Sequence, residues 1–303
     1  MPEHTPQPQP HAPMTSAVII GSGRMAAALG HSLQAAGYEV RAIQGRHPQH
    51  RQQLARALGV AAFPIGTPCA AELWIIAVTD AAIPQVAHNL HDILPDDALV
   101  LHTSGLHNAN LLRSAGILNP CASMHPLAAI TAAPPATLAQ RFHGVYFAIE
   151  GDPDACVAAG QLAIACGAFP VSLKAEQKGH YHAGAALLAN HLVTLFAAAE
   201  QLFAKANIEP ALGHAMLHHL AQGALDNLSQ HSRTCDALTG PVRRGDIATL
   251  DAHFRAMEEV PDAARLYRAA LPLAMDLAAD AGLAPREVAA MVHAARRWKR
   301  NEH

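Results

Sequence analysis

The segment Ala17-Val18-Ile19-Ile20-Gly21-Ser22-Gly23-Arg24-Met25-Ala26 constrains the fold more than any other part of the chain. A short β-branched run enters a glycine turn, and apolar residues then recur at helical spacing as far as Gly37, where a helix would end. Strand, glycine turn and helix in that order match the fingerprint G-x-G-x-x-G/A, with Ala26 standing for the third glycine. Gly21 permits the tight turn and Gly23 lets the backbone approach a pyrophosphate. Ser22, Arg24 and Met25 complete a helix N-terminus whose free N–H groups and positive dipole suit an anion. The alternative is a turn with no ligand.

The end of the second strand, Glu39 to Ile43, favours NADP over NAD. NAD calls for an Asp or Glu at its end, about 20 residues after the glycines, to bind the ribose hydroxyl. Here the chain reads Ile43-Gln44-Gly45-Arg46-His47, with no acid. Arg46, helped by Arg51 or His47, suits the doubly charged 2′-phosphate of NADP. Its competing reading is a surface charge on a loop.

Further short apolar runs at Leu73–Val78, Leu99–Leu101, Ala122–Met124, Val145–Ile149 and Phe169–Leu173 alternate with helical patterns such as Ile83–His91 and Pro153–Cys166. Alternation of this kind predicts a doubly wound, mostly parallel α/β sheet over 16–174. After Lys174 the strand signals stop, and helical spacing recurs at about 178–205, 210–230, 246–257, 262–281 and 285–299, an all-helical second domain over 175–303. Residues 1–15, with five prolines, read as a disordered tail.

Composition removes several classes. The net charge is −3 and no basic run follows a phosphate backbone, so nucleic acid is not an expected partner. Five cysteines without a zinc spacing read as free thiols in a reducing compartment. His214 and His218 lie at i, i+4 but lack a third ligand, so no metal is expected. The longest apolar stretch, Ala183 to Ala199, contains Asn190 and His191 and falls short of the about 20 clean residues of a span. The expectation is a soluble, cytoplasmic protein without a membrane segment.

Polar residues at strand ends mark a site. Val78, Thr79 and Asp80 follow the 73–78 run, at the carboxyl edge where ligands of doubly wound folds bind, although Asp80 can equally cap the next helix. His102 and Ser104 follow the next strand and His125 the one after. Lys178 and His182 share one face of the first long helix, with Asn190 turned about 120° away. The bend at Leu238-Thr239-Gly240-Pro241-Val242-Arg243-Arg244-Gly245-Asp246 stops one helix at Gly240-Pro241 and caps the next with Asp246. That leaves Arg243 and Arg244 available for a substrate carboxylate or a cofactor phosphate.

The set AVIIGSGRMAAAL, VTDAAIPQVA, HTSG, MHPL, KGHYHAGAALLAN and LTGPVRRGD resembles a family of oxidoreductases that join a Rossmann-like domain to a helical domain of unknown function. The resemblance covers nearly all of 16–300. It extends to the 6-phosphogluconate dehydrogenase-like superfamily, with pyrroline-5-carboxylate reductase, ketopantoate reductase and 3-hydroxyacid dehydrogenases. In the last group a lysine near the start of the first long helix is the acid-base, followed closely by an asparagine. Lys178 matches that lysine by place, whereas Tyr181 and His182 stand where the asparagine would be.

Together these readings predict an NADP(H)-dependent reductase of a small carboxylated carbonyl or imine, a 2-keto acid such as ketopantoate leading. Lys178 is the expected proton donor, with His182 or His125 as alternative. Ser104, His102, Asn190, Arg243, Arg244 and Asp246 are the expected substrate residues, and the apolar helices point to a homodimer. The competing class is a non-catalytic dinucleotide-binding redox sensor or partner-binding module.

Overall fold

The structure, a computed structural model, describes residues 15–300, and only the backbone of 297–300. Of the expected tail, all but Thr15 lies outside the described residues. Among the described residues eight strands form one sheet: β1 (Ser16–Ile20), β2 (Glu39–Gln44), β3 (Ala61–Phe63), β4 (Leu73–Ile76), β5 (Leu99–His102), β6 (Cys121–Pro126), β7 (Tyr146–Gly151) and β8 (Phe169–Ser172). Their order is β3-β2-β1-β4-β5-β6-β7-β8, and every neighbouring pair is parallel except β6 with β7. The order reverses at β1, so the carboxyl ends of β1 and β4 flank the switch point where such sheets bind ligands. β3 has no counterpart in the sequence reading. Three residues at the sheet edge, none of them fully buried, carry too little pattern to register.

The strands are apolar on both faces because helices cover both. Along β1, Ala17 and Ile19 pack into one core and Val18 and Ile20 into the other; on β4, Leu73 and Ile75 alternate in the same way with Trp74 and Ile76. The first core receives α1 (Arg24–Ala35), α2 (Pro48–Leu58), α5 (Pro135–Ala139) and α6 (Pro153–Ala165); the second receives α3 (Ile83–Leu90) and α4 (Asn110–Ser114). Period-two alternation between two apolar cores is what a doubly wound sheet requires.

Helices then run as α7 (Lys178–Lys205), α8 (Pro210–Gln230), α9 (Gly240–Arg244), α10 (Ile247–Ala256), α11 (Pro261–Asp280) and α12 (Pro285–Arg300). The chain divides into two compact units between Ala186 and Leu187, inside α7. In the second unit, Leu250, Phe254, Leu271, Met275 and Met291 form a core shared by α10, α11 and α12. Glu209 caps α8, its carboxylate accepting from the Ala211 and Leu212 N–H groups at 3.0 and 2.8 Å. The bend at 238–246 differs from expectation: Gly240 and Pro241 open the one-turn α9 instead of only ending a helix, and Gly245 closes it with φ +64°. Asp246 does cap α10, accepting from Thr249 N–H at 3.1 Å.

The apolar face of α7 and α8 is not consumed by this core. Leu187, Leu188, Val193, Leu212 and Leu220 are all more than half exposed. By length and composition the helical stretch Ala175–Lys205 is apolar enough to cross a membrane, and only 6% of its most apolar window is buried. Composition alone does not separate such a segment from a helix that packs on another protein surface.

Candidate active site

The glycine turn joins the end of β1 to α1. Gly21 has φ +135°, and a Cβ there would lie 2.2 Å from the Ala77 carbonyl oxygen, so only glycine allows the end of β4 to close against the turn. A Cβ on Gly23 would meet nothing within 4 Å. α1 begins at Arg24 with no side-chain cap and no acidic residue in its first turn, leaving its first N–H groups to a ligand. Open space at Gly23, an uncapped helix start and the absence of a repelling carboxylate in that turn fit a dinucleotide pyrophosphate. Ser22 and Met25 are half-buried beside the turn.

At the end of β2, Gln44 is fully buried and spends its amide on Thr67 and Gly66. The cations follow directly. Arg46 is exposed and shares a hydrogen bond with the His47 ring, and Arg51 donates from Nη1 to the Gly45 carbonyl at 2.9 Å. Arg51 Nε is buried without a hydrogen-bond partner among the described residues. Two guanidiniums and an imidazole around a loop with no carboxylate fit a 2′-phosphate.

On the same rim, Val78 is half-buried after β4, and Thr79, not Asp80, holds the N-cap position of the 3₁₀ turn that leads into α3. Asp80 is the first residue of that turn and its side chain caps no helix, which corrects the capping expectation. Its negative charge instead raises the proton affinity of Lys178, His102 and His125.

Lys178 is where the structure departs most from expectation. The residue is 1% exposed; Nζ donates to the Ser104 carbonyl at 2.9 Å and to Ser123 Oγ, and Ser123 Oγ donates to the same carbonyl at 3.1 Å. Burial pushes its ammonium down to about 8, against the opposing pull of Glu150 and Asp80. The sequence places Lys178 on a helix face but cannot show that this face closes over the ends of β5 and β6. Two of its three N–H donors pin the loop through the Ser104 carbonyl and Ser123 Oγ.

His102 and Ser104 are likewise spent on that loop. His102 is fully buried, its Nδ1 accepting from Ser104 N–H and its Nε2 bonded to the Asn108 carbonyl, both at 3.2 Å; burial brings it down to about 4 and keeps it neutral. Ser104 Oγ accepts from the N–H groups of Leu106 and His107. Both side chains thereby help hold the 104–108 turn in place.

What remains open is the pair of imidazoles beyond the loop. His125 Nδ1 is 2.8 Å from the Tyr181 hydroxyl, and its ring stands edge to face with His182, centroids 5.9 Å apart. His125 Nε2 and the His182 ring have no hydrogen-bond partner among the described residues, and His182 Nδ1 is buried in that condition. Both rings close over Gly105, where a Cβ would lie 2.5 Å from His182 Nδ1 and 2.9 Å from His125 Nε2. Burial, reinforced by the charges of Lys178 and His182, brings His125 down to about 4.

Gly105, Ser123 and Tyr181 are given no site role in the sequence reading. Ser123 had the clearest signal: a polar residue inside a strand apolar on both sides must find a partner. The other expected substrate residues lie in the second unit. Asn190 is exposed on α7, Arg243 donates to the Ala281 carbonyl at 2.8 Å, Arg244 is exposed, and Asp246 serves its cap.

A sheet whose switch point carries an open, uncapped glycine turn fits a dinucleotide-dependent oxidoreductase. Residues 16–104 match the family NADP oxidoreductase, coenzyme F420-dependent, and residues 145–291 match the domain of unknown function DUF2520. The chain thus joins an NADP oxidoreductase domain to a DUF2520 domain, and NADP is its dinucleotide. No curated protein matches the chain. Among solved structures it is similar to protein BF3122 of Bacteroides fragilis (21% identity, 87% of this chain and 98% of that one, TM-score 0.73). It is also similar to protein TM1727 of Thermotoga maritima (23%, 87% and 98%, TM-score 0.68). A pyrroline carboxylate reductase of Plasmodium falciparum with NADP bound shares the fold at 12% identity (88% and 98%, TM-score 0.57).

Proposed function

We propose that the protein is an NADPH-dependent reductase of a small carbonyl or imine compound bearing a carboxylate, a 2-keto acid of the ketopantoate type being the leading candidate. The observation that carries the reading is the pair His125 and His182: two imidazoles with unpartnered nitrogens on the rim that also holds the glycine turn. The pyrroline carboxylate reductase among the structural neighbours supports the imine alternative at the level of fold.

NADPH, when bound, supplies the hydride that adds to the substrate carbon. The chain supplies the rest. The turn Gly21 to Met25 takes the pyrophosphate, Arg46 and Arg51 take the 2′-phosphate, and Val78 and Thr79 line the rim. His125 Nε2 and His182 receive the substrate oxygen or nitrogen; His125 holds that atom by a hydrogen bond, and as it gains negative charge the proton it takes up passes from His182, turning C=O into CH–OH or C=N into CH–NH. Lys178 is a positioning residue, holding the Ser104 carbonyl so that Gly105 stays beneath both rings.

A second copy of the chain covers the apolar side chains of α7 and α8, giving a homodimer, because an apolar patch of this extent marks an association surface. Five free cysteines suit the reducing cytoplasm.

The test is a fluorescence titration with NADPH and NADH, followed by a panel of 2-keto acids and cyclic imines monitored through loss of the reduced nicotinamide absorbance. Tight NADPH binding with oxidation by one panel member supports the reading. Binding without turnover across the panel returns the chain to the redox-sensor class, and failure to bind NADPH overturns the reading altogether.

A further inference from the structure

We propose that Tyr181 is a positioning residue that fixes the tautomer of His125: its hydroxyl donates to Nδ1, so the imidazole presents a neutral Nε2–H on the side of Gly105 and His182. The inference rests on the reading of this rim as the reducing site.

The direction of the bond follows from the acceptors open to the phenol proton. Tyr181 Oη lies 2.8 Å from His125 Nδ1, a full-strength hydrogen bond, and the Tyr181 ring meets the imidazole edge to face at 5.6 Å. Either partner could donate in principle. If His125 donated, the half-buried Tyr181 proton would need another acceptor, and among the described residues the hydroxyl has none besides Nδ1. If Tyr181 donates, its one proton is used and Nε2 must carry the remaining imidazole proton.

The groups facing His125 agree. Tyr181, His182 and Lys178 approach from α7, and Asp80 from the turn after β4. Burial together with the Lys178 charge opposes an imidazolium more than Asp80 favours one, and burial pushes Tyr181 up to about 12, so the phenol stays protonated. A neutral imidazole in a fixed tautomer can polarise a carbonyl or imine by hydrogen bonding without being an acid strong enough to lose its proton. Sequence order supplies the partner: Tyr181 and His182 are adjacent on α7, yet Tyr181 reaches Nδ1 of His125 while His182 lies beside the opposite side of the ring, near Gly105. One turn of helix thereby sets both the orientation of one imidazole and the position of the other.

Nitrogen-15 NMR of the whole protein with labelled histidine tests this without any turnover. The chain has 21 histidines, so His125 is assigned by the signal lost in His125→Gln. The expected result is an unprotonated Nδ1 and a protonated Nε2 that do not change between pH 5.5 and 8, roughly the range in which an unperturbed histidine titrates. In Tyr181→Phe the signal should move toward a mixture of tautomers, and with an active substrate kcat should fall about 10- to 100-fold while the NADPH affinity stays within about twofold. A protonated Nδ1 in the wild-type protein overturns the proposal, and so does a Tyr181→Phe spectrum identical to wild type. The wild-type spectrum alone decides if the variant does not fold. Absence of turnover on every substrate would count against the reductase reading, whereas the tautomer is decided by the spectra in either case.

Discussion

Replacing Lys178 with methionine should change how stability depends on pH more than it changes stability at any one pH. The ammonium is 1% exposed and held at about 8, well under its ordinary 10.5, by burial. Between those two values the unfolded chain binds a proton that the folded chain has released, so stability rises with pH through this window. Below about pH 8 the folded state carries the full cost of a desolvated cation; above about 10.5 the cost is gone. Integrating the two titrations from pH 7 to 10 gives a gain of about 2.5 kcal/mol for the wild type. Lys178→Met has nothing to titrate and keeps most of the volume. It also leaves the Ser104 carbonyl satisfied, because Ser123 Oγ still donates to it at 3.1 Å. Urea unfolding of both proteins across this range, followed through the buried Trp74 in a Trp298→Phe background, isolates the effect, since titration of all other groups cancels in the difference. The difference between the two stability curves should change by about 2.5 kcal/mol in favour of the wild type as pH rises. Curves that stay parallel would show that Lys178 is solvated and refute the loop-pinning role.

Four other outcomes follow from the same geometry. Gly105→Ala should displace His125 and His182, lowering kcat/KM about 100-fold, as an ångström of misplacement does, with NADPH affinity unchanged; a rate within about threefold of wild type would remove the two rings from the chemistry. Gly21→Ala meets the Ala77 carbonyl at 2.2 Å, and differential scanning calorimetry should register a loss of about 3 kcal/mol together with loss of NADPH binding. Arg46→Asp should shift the ratio of NADPH to NADH affinity by roughly tenfold or more toward NADH in fluorescence titration, and an unmoved ratio would return Arg46 to the surface. Glu72 accepts from Thr15 N–H, Ser16 N–H and Ser16 Oγ, which hold its carboxyl below the usual range, so its contribution exists above that range and vanishes as pH falls through its folded value. Glu72→Gln should therefore shallow the acid limb of the stability profile by no more than about 1 kcal/mol, the bonds being partly exposed.

Much of the fold is legible in the residues because it rests on local pattern. Alternating apolar strands, the helix stop near Gly37 and the five long helices of the second half all appear where period and punctuation place them. The residues expected on the cofactor side are likewise gathered by local structure. Gly21 and Gly23 open α1, and Arg46 and Arg51 follow the end of β2, so one stretch of strand, turn, helix and strand brings them together by chain connectivity.

The substrate side does not work that way. Lys178 and His182 share a helix face in the sequence, but one is buried under the Ser104 loop and the other lies against Gly105, because that helix crosses the ends of two strands whose contacting residues come 55 and 74 positions earlier. His102 and His125 look equivalent as strand-end histidines. Only packing separates them, since the turn after β5 folds back to occupy both nitrogens of His102 while β6 carries His125 out to Tyr181. Period and spacing therefore determined the sheet, the helices and the glycine turn, which depend on short-range backbone geometry. Tertiary structure alone decided which lysine, histidine or serine keeps an open polar atom, because that depends on contacts between elements far apart in the chain.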